Sequence, residues 1–356
     1  MSSSPEALQP SRPKIQIDGT ESSSLTGGIL RMRIRENVHG LSNCELEFGN
    51  WGPNGDNSDF LFFDKKVLDF GKKLDVLLAD KTIFSGKISG IEARFPQGNS
   101  PSIIVLAEDR LQDLRMTRRT RTFADVSDSD VFSQIAGDHG LTPQVTVTGG
   151  TYKVLAQLNQ SDLAFMRERA RALDAELWMT DTTLNVKPRA DRGSSPVTLT
   201  YGKELREFRV IADLALQATT VEVSGWDVSG KSAVKESADD SVVSGELKGG
   251  DSGPSLLSSA FGDRKDSVAN TVPQTSDEAH ARAEALLKRR ARRFLVGHGT
   301  AETNANLKVG ATVKLAALGP LFEGEFYVAQ TEHLFDGAQG MRTDFEVERP
   351  GLGKPS

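Results

Sequence analysis

The sequence predicts a mainly β protein with an α+β insert: two similar antiparallel β domains, small barrels or sandwiches, flanking a small α+β domain. Three observations predict it. Apolar residues alternate with polar ones at period two from Lys14 to Asp109, and again from Ser195 through Val223 and over 296–348. Helical 3-4 spacing is confined to the stretch between these regions and to one insertion. Short blocks of the first β region recur in the same order in the second.

Residues 1–13 are Ser- and Pro-rich and are expected to form an arm. In the first β domain, 14–113, three apolar sets lie in short runs bounded by Gly, Asn and Asp: Ile29, Met32 and Ile34; Cys44, Leu46 and Phe48; Leu74, Val76 and Leu78. Runs Thr82–Phe95 and Ser102–Glu108 complete about six strands. The pattern changes near 110, and 114–190 reads as α+β. Ser127-Asp-Ser-Asp130 opens a helix carrying Val131, Ile135 and Ala136, with Gly140 as its C-terminal cap. Ser161 caps a second helix, whose Leu163, Met166, Ala170, Leu173 and Leu177 form one apolar stripe. Strands are expected at 143–148, 152–158, 175–180 and 183–187 around these helices. The second β domain, 191–350, carries an insertion at 227–295. Its 227–275 part is rich in Ser, Gly and Asp and reads as long loops with room for a hairpin. Thr275 and Glu278 then form a capping box for a helix to about Phe294, with acids early and bases late along its dipole. Residues 351–356 are read as a tail.

The repeat has three blocks. Gly71-Lys-Lys-Leu-Asp-Val matches Gly310-Ala-Thr-Val-Lys-Leu, and Phe84-Ser-Gly86 matches Phe322-Glu-Gly324, both followed by a long strand ending in Phe95 or Phe335. Leu46-Glu-Phe48 matches Val221-Glu-Val223, with Trp51 and Trp226 in step. Two similar β domains per chain have a geometric consequence: a three-fold ring presents six of them, quasi-six-fold about one axis.

Composition narrows the function classes. The 356 residues carry 43 Lys and Arg against 49 Asp and Glu, a net charge of −6, which argues against bulk nucleic-acid binding. No apolar run reaches the ~20 residues of a membrane span, and the N-terminus lacks the apolar centre of an export signal. One cysteine, Cys44, excludes internal disulfides and Cys-based zinc sites. No phosphate-binding loop, HExxH or EF-hand pattern occurs, and the five histidines show no metal-ligand spacing, so neither a cofactor nor a metal is expected. Gly250-Asp-Ser-Gly-Pro254 and Gly297-His-Gly-Thr300 resemble fragments of two unrelated serine-protease folds. Each lacks its companion segments, so Ser252 and His298 are read as turn and surface residues. Of the basic clusters, 288–293 reads as a charged helix face. Arg115, Arg118, Arg119 and Arg121 occupy a strand-like stretch in which alternation places Arg115, Arg119 and Arg121 on one face. Arg118, Arg119 and Arg121 are the candidate interface residues; no catalytic residue is assigned.

Gln157-Leu-Asn-Gln-Ser-Asp-Leu-Ala-Phe-Met-Arg-Glu-Arg-Ala, continuing to Leu177-Trp-Met and Leu184-Asn-Val, resembles a signature of contractile-tail hub proteins. That family comprises phage late control gene D proteins and the hub portion of VgrG-like spike proteins. Arg121-Thr-Phe and Val131-Phe-Ser-Gln-Ile-Ala-Gly-Asp-His-Gly-Leu141 resemble its linker and helix. Gln160 stands where an acid is common there, and Asp174-Ala175 where Gly is frequent. The resemblance implies two tube-type β-barrels per chain. It further implies a homotrimeric, pseudo-hexameric ring that adapts a six-fold tail tube to a three-fold spike in a phage or phage-tail-like injection particle. The implied partners are the tail tube protein, the spike protein and other baseplate components, without nucleic-acid specificity or membrane insertion. Assembly is expected in the bacterial cytoplasm, with any membrane-piercing tip on a separate protein. The role is structural rather than enzymatic. A receptor- or carbohydrate-binding tail component is the alternative, and a cell-wall hydrolase the third reading.

Overall fold

Half-buried alternation is what makes the strands. Asn43–Gly49, for example, points Cys44, Leu46 and Phe48 inward and its polar residues outward. The computed structural model describes residues 12–354 apart from 55, 194, 229 and 272, so the arm expected at 1–13 lies almost wholly outside the described residues.

Twelve strands carry the architecture. In the first half they are β1 (Lys14–Ile17), β2 (Ile29–Asn37), β3 (Asn43–Gly49), β4 (Lys73–Leu78), β5 (Lys81–Arg94) and β6 (Ser102–Glu108). In the second they are β7 (Val197–Thr200), β8 (Leu205–Ala212), β9 (Leu295–Glu302), β10 (Thr312–Ala316), β11 (Gly324–Asp336) and β12 (Gly340–Arg349). With the short strand Thr20–Glu21 they form one 13-stranded sheet. The first half runs β2-β3-β6-β5-β4-β1 and the second β8-β9-β12-β11-β10-β7. One antiparallel seam joins the halves, β2 against β11, from Asn37 opposite Gln330 to Arg31 opposite Asp336.

The two halves correspond residue by residue. Register irregularities fall between Ile88 and Gly90 in β5 and between Val328 and Gln330 in β11, a shift of 240 residues. They fall between Ile29 and Arg31 in β2 and between Leu205 and Glu207 in β8, a shift of 176. Gly71 and Gly310, both at positive φ, donate their N–H to Ile88 and Val328 at 2.8 and 3.0 Å. Bulges disturb pairing at a defined residue, so matching bulges fix a register that alternation alone leaves free.

This register corrects two sequence matches. Leu46-Glu-Phe48 corresponds to Gly299-Thr-Ala301 of β9, because Ile29 pairs Phe48 as Leu205 pairs Ala301. Val221 and Val223 lie instead in Thr220–Asp227, the middle of a separate three-stranded sheet. Phe84-Ser-Gly86 corresponds to Gly324-Glu-Phe326, two residues along from the expected match. An apolar-polar-apolar triplet fits any half-buried strand, and a two-residue slip leaves its facing unchanged. Edge strands differ too: β1 is antiparallel to β4 whereas β7 is parallel to β10. Among the described residues no ladder joins β1 to β2 or β7 to β8, only the single bridge Tyr201–Leu205.

Each half has its own core. Met32, Leu46, Phe48, Leu74, Val76 and Val105 centre the first, which Phe335 and Met341 enter from the second half. Leu199, Leu295, Val313, Leu315, Phe326 and Val347 centre the second. The intervening segment packs helices α1 (Asp128–Asp138) and α2 (Asp162–Ala172) against two small sheets. Ser127 and Asp130 complete a capping box on α1, and Ser161 Oγ accepts the Ala164 N–H on α2. Helix α2 ends before Leu177, which belongs to strand Ala175–Thr180 rather than to the helical stripe. The insertion holds more structure than its composition suggests. Strands Ser232–Asp239 and Lys265–Val268 flank Thr220–Asp227, and Gly253–Phe261 is helical. Ala279, Ala283 and Leu287 of α3 (Ser276–Arg292) cover Val221, Val223, Val234 and Ala238, so burial overrides turn-forming residues. Gly351–Leu352, read as tail, pairs with Asp251–Ser252.

Candidate functional site: the seam between the halves and its unpaired counterparts

Where β2 meets β11, three kinds of contact lie side by side. Glu332 takes Arg33 at 2.8 Å and Arg35 at 3.1 Å on one face. On the other, Phe335 stands opposite Met32, and both are buried. His333, also buried, shares a 2.8 Å hydrogen bond with Thr343 Oγ1, and burial pushes its imidazole down to about 4. Main-chain pairing, a charge pair and an apolar plug thus close the joint together.

Applying the two register shifts to this seam identifies its counterparts. Residues of β11 map to β5, so Glu332 corresponds to Glu92 and Phe335 to Phe95. Residues of β2 map to β8, so Arg33 corresponds to Arg209 and Met32 to Phe208. These counterparts do not meet within the chain. Among the described residues, β5 beyond Ile88 is paired only by β6, and β8 beyond Leu205 only by β9. Phe95 is 64% exposed where Phe335 is 5% exposed. Glu92 bonds only its neighbour Arg94, and Arg209 has no ion pair among the described residues. Two complementary edges, of the kind proteins normally cover, are left open. No sequence motif marks them. The one available signal was the length of β5, 14 residues beside a six-residue partner β4.

The candidates singled out in the sequence lie elsewhere. Arg118 and Arg119–Arg121 sit in strand Arg118–Ser127, whereas Arg115 ends the short helix Leu111–Arg115, so the expected one-face alternation starts three residues too early. Arg119 and Arg121, two residues apart on one face of the strand, both reach buried Asp162, at 3.2 and 2.9 Å. Arg121 also binds Asp138 at 2.8 Å and lies 4.8 Å over the Phe123 ring. Burial would raise the Asp162 carboxyl. Hydrogen bonds from His139 and Gln157 with the charges of Arg121 and Arg119 outweigh it, holding the group below the usual range. Arg118 donates to the Asn159 carbonyl at 3.1 Å. Ser252 is buried, donates to Asp240 at 2.5 Å and caps helix Gly253–Phe261, while His298 is exposed 3.9 Å from Glu346. In the 288–293 cluster, Arg292 holds Asp174 and Glu246, each at 2.5 Å. Among the described residues no group of three or more His, Cys, Asp or Glu could hold a metal ion, and no helix is long and apolar enough to cross a membrane.

A family model described as the Alg8 N-terminal domain matches residues 9–336. The chain belongs to that family. No curated protein matches. Among solved structures, the chain is similar to the prophage MuSo2 43 kDa tail protein from Shewanella oneidensis. They share 14% identity and a TM-score of 0.71, over 95% of this chain and 98% of that one. It is similar to the tail protein from Neisseria meningitidis MC58, at 12% identity and TM-score 0.67, over 96% and 97% of the two chains. A third is the E. coli c3393 protein, described as a type VI secretion component similar to T4 bacteriophage tail proteins gp27 and gp5. It shows 12% identity and TM-score 0.59, over 96% of this chain and 79% of that one. At these identities the likeness establishes a shared fold: mainly β, built on a large antiparallel sheet, and found in phage tail and type VI secretion proteins.

Proposed function

We propose that this chain is a structural component of a contractile phage tail or phage-tail-like injection particle, and within it the baseplate hub. Each β half serves as a tube-type barrel, and three chains form a pseudo-hexameric ring seating the six-fold tube on one face and the three-fold spike on the other. The observation that carries the reading is the pair of open edges. β5 and β8 repeat the β11·β2 seam in matching register, with Glu92 and Arg209 in the places of Glu332 and Arg33. Among the described residues one chain does not join its own β5 to its own β8, which lie in opposite halves of the sheet. Successive copies can, and such a head-to-tail contact closes into a ring when the rotation permits. Three copies would alternate three internal seams with three shared ones. At −6 per chain the ring carries 3 × −6 = −18 formally, which suits the passage of anionic cargo.

Arg118, Arg119 and Arg121 remain secondary contact candidates. Arg118 has donors to spare, whereas Arg119 and Arg121 would have to share Asp162. The tube protein, the spike protein and neighbouring baseplate components are the proposed partners. The test is the solution mass of the purified chain, alone and with its candidate spike. A trimer in either sample is the expected result; a monomer in both overturns the ring.

A further inference from the structure

Between β3 and β4 the first half carries residues 50–72, whereas between β9 and β10 the second half spends only 303–311. The longer segment builds an aromatic cluster on the surface. Trp51 meets Phe60 edge-on at 5.1 Å, Phe60 stacks on Phe63 at 4.8 Å, and both phenylalanines reach Phe95 at 6.1 and 6.0 Å. All four are exposed, with Trp51 at 46% and Phe95 at 64%. The cluster is held firmly from beneath. Asn50, fully buried, accepts the N–H groups of Leu61 and Phe62 at 3.0 and 2.8 Å, and Phe62 enters the first core. A rigid, exposed aromatic patch of this kind marks a contact surface.

The molecule itself shows what such a patch covers. Phe95 corresponds to Phe335, which is buried because Met32 of β2 lies opposite it. The counterpart of Met32 is Phe208 of β8, which packs against Phe326 and Phe345, both at 6.3 Å, while its strand edge stays open. We propose that the Trp51–Phe60–Phe63–Phe95 cluster is the seat for a second copy of this chain, taking the Phe208 end of its β8. The inference rests on the ring reading and adds to it the residues that close the shared seam. Laid on β5 in the register of the internal seam, the incoming strand sets Phe208 beside Phe95. It joins the two aromatic clusters into one and places Arg209 within reach of Glu92. The aromatic loop then does for the shared seam what Phe335 and Met341 do inside the chain.

The test uses the full chain carrying Phe95→Cys and Phe208→Cys, oxidised with diamide; Cys44 is buried and stays silent. The double variant should give a disulfide-linked ladder of copies up to the full ring, and neither single variant should. Trp51→Lys, a surface change that leaves folding intact, should raise the concentration for half-assembly about tenfold. Assembly without cross-linking and without sensitivity to Trp51→Lys overturns the seat but leaves the ring standing. A chain that never assembles overturns the ring, and the seat with it.

Discussion

The β11·β2 seam and the open β5 and β8 edges are the same joint, once satisfied and once not. Inside the chain Phe335 is covered, Glu332 is shared by two arginines, and His333 is buried deeply enough to stay neutral. At the open edges Phe95 faces solvent and Glu92 holds only a neighbour on its own strand. Duplicated β halves therefore supply two copies of each joining edge, of which one chain uses half. On the ring proposed above, the unused half is what would direct assembly.

The largest expected effect separates the two phenylalanines. Phe335→Ala leaves a cavity in the first core and should cost about 3–5 kcal/mol in chemical denaturation. Phe95→Ala in the dissociated chain should stay within about 0.5 kcal/mol of wild type, since its ring contacts are on the surface. Equal losses would break the comparison. Next come the two corresponding glycines. Gly71 has positive φ and open space around it, so Gly71→Ala should cost about 1 kcal/mol. At Gly310 a Cβ would meet Arg192 Cγ at 2.5 Å. Arg192 cannot yield, being paired to Glu36 at 2.6 Å and Glu176 at 3.0 Å and lying 4.8 Å over the Trp178 ring. Gly310→Ala should therefore cost at least about twice as much.

His333 sharpens the comparison through pH. Its ordinary value is 6.5 and its folded value about 4, so the unfolded chain takes up the proton first. The contribution is fully present above pH 6.5 and is lost as pH falls toward 4, by about 3 kcal/mol. Thermal melts across that window should show the loss, and His333→Gln should remove most of it. The counterpart of His333 is Ala93, so no matching titration is expected at the open edge. The smallest effect is a charge exchange. Glu92→Arg should weaken assembly about tenfold in sedimentation, and adding Arg209→Glu should restore it. If the pair of changes is merely additive, these side chains are not opposite one another.

Much of this was legible in the chain itself. Ser127, Ser161 and Thr275 announced their helices because a capping oxygen acts on amides three residues away. Gly71 and Gly310 matched across the repeat because positive φ admits few other residues. The insertion was less legible. Its Ser, Gly and Asp favour turns locally, but strand Ser232–Asp239 forms because α3 covers it from some forty residues downstream. Arg119 and Arg121 were visible as a cluster, but not their common target Asp162, which tertiary folding brings from some forty residues downstream at the start of α2.

What the sequence determined alone was everything governed by near neighbours: alternating strands, capped helices, and the recurrence of one β design within a single chain. What only the tertiary structure decided was register, and with it which edges are spent on β11·β2 and which are left open. A two-residue slip preserves inward and outward facing, so alternation cannot detect it. Main-chain pairing across hundreds of residues can.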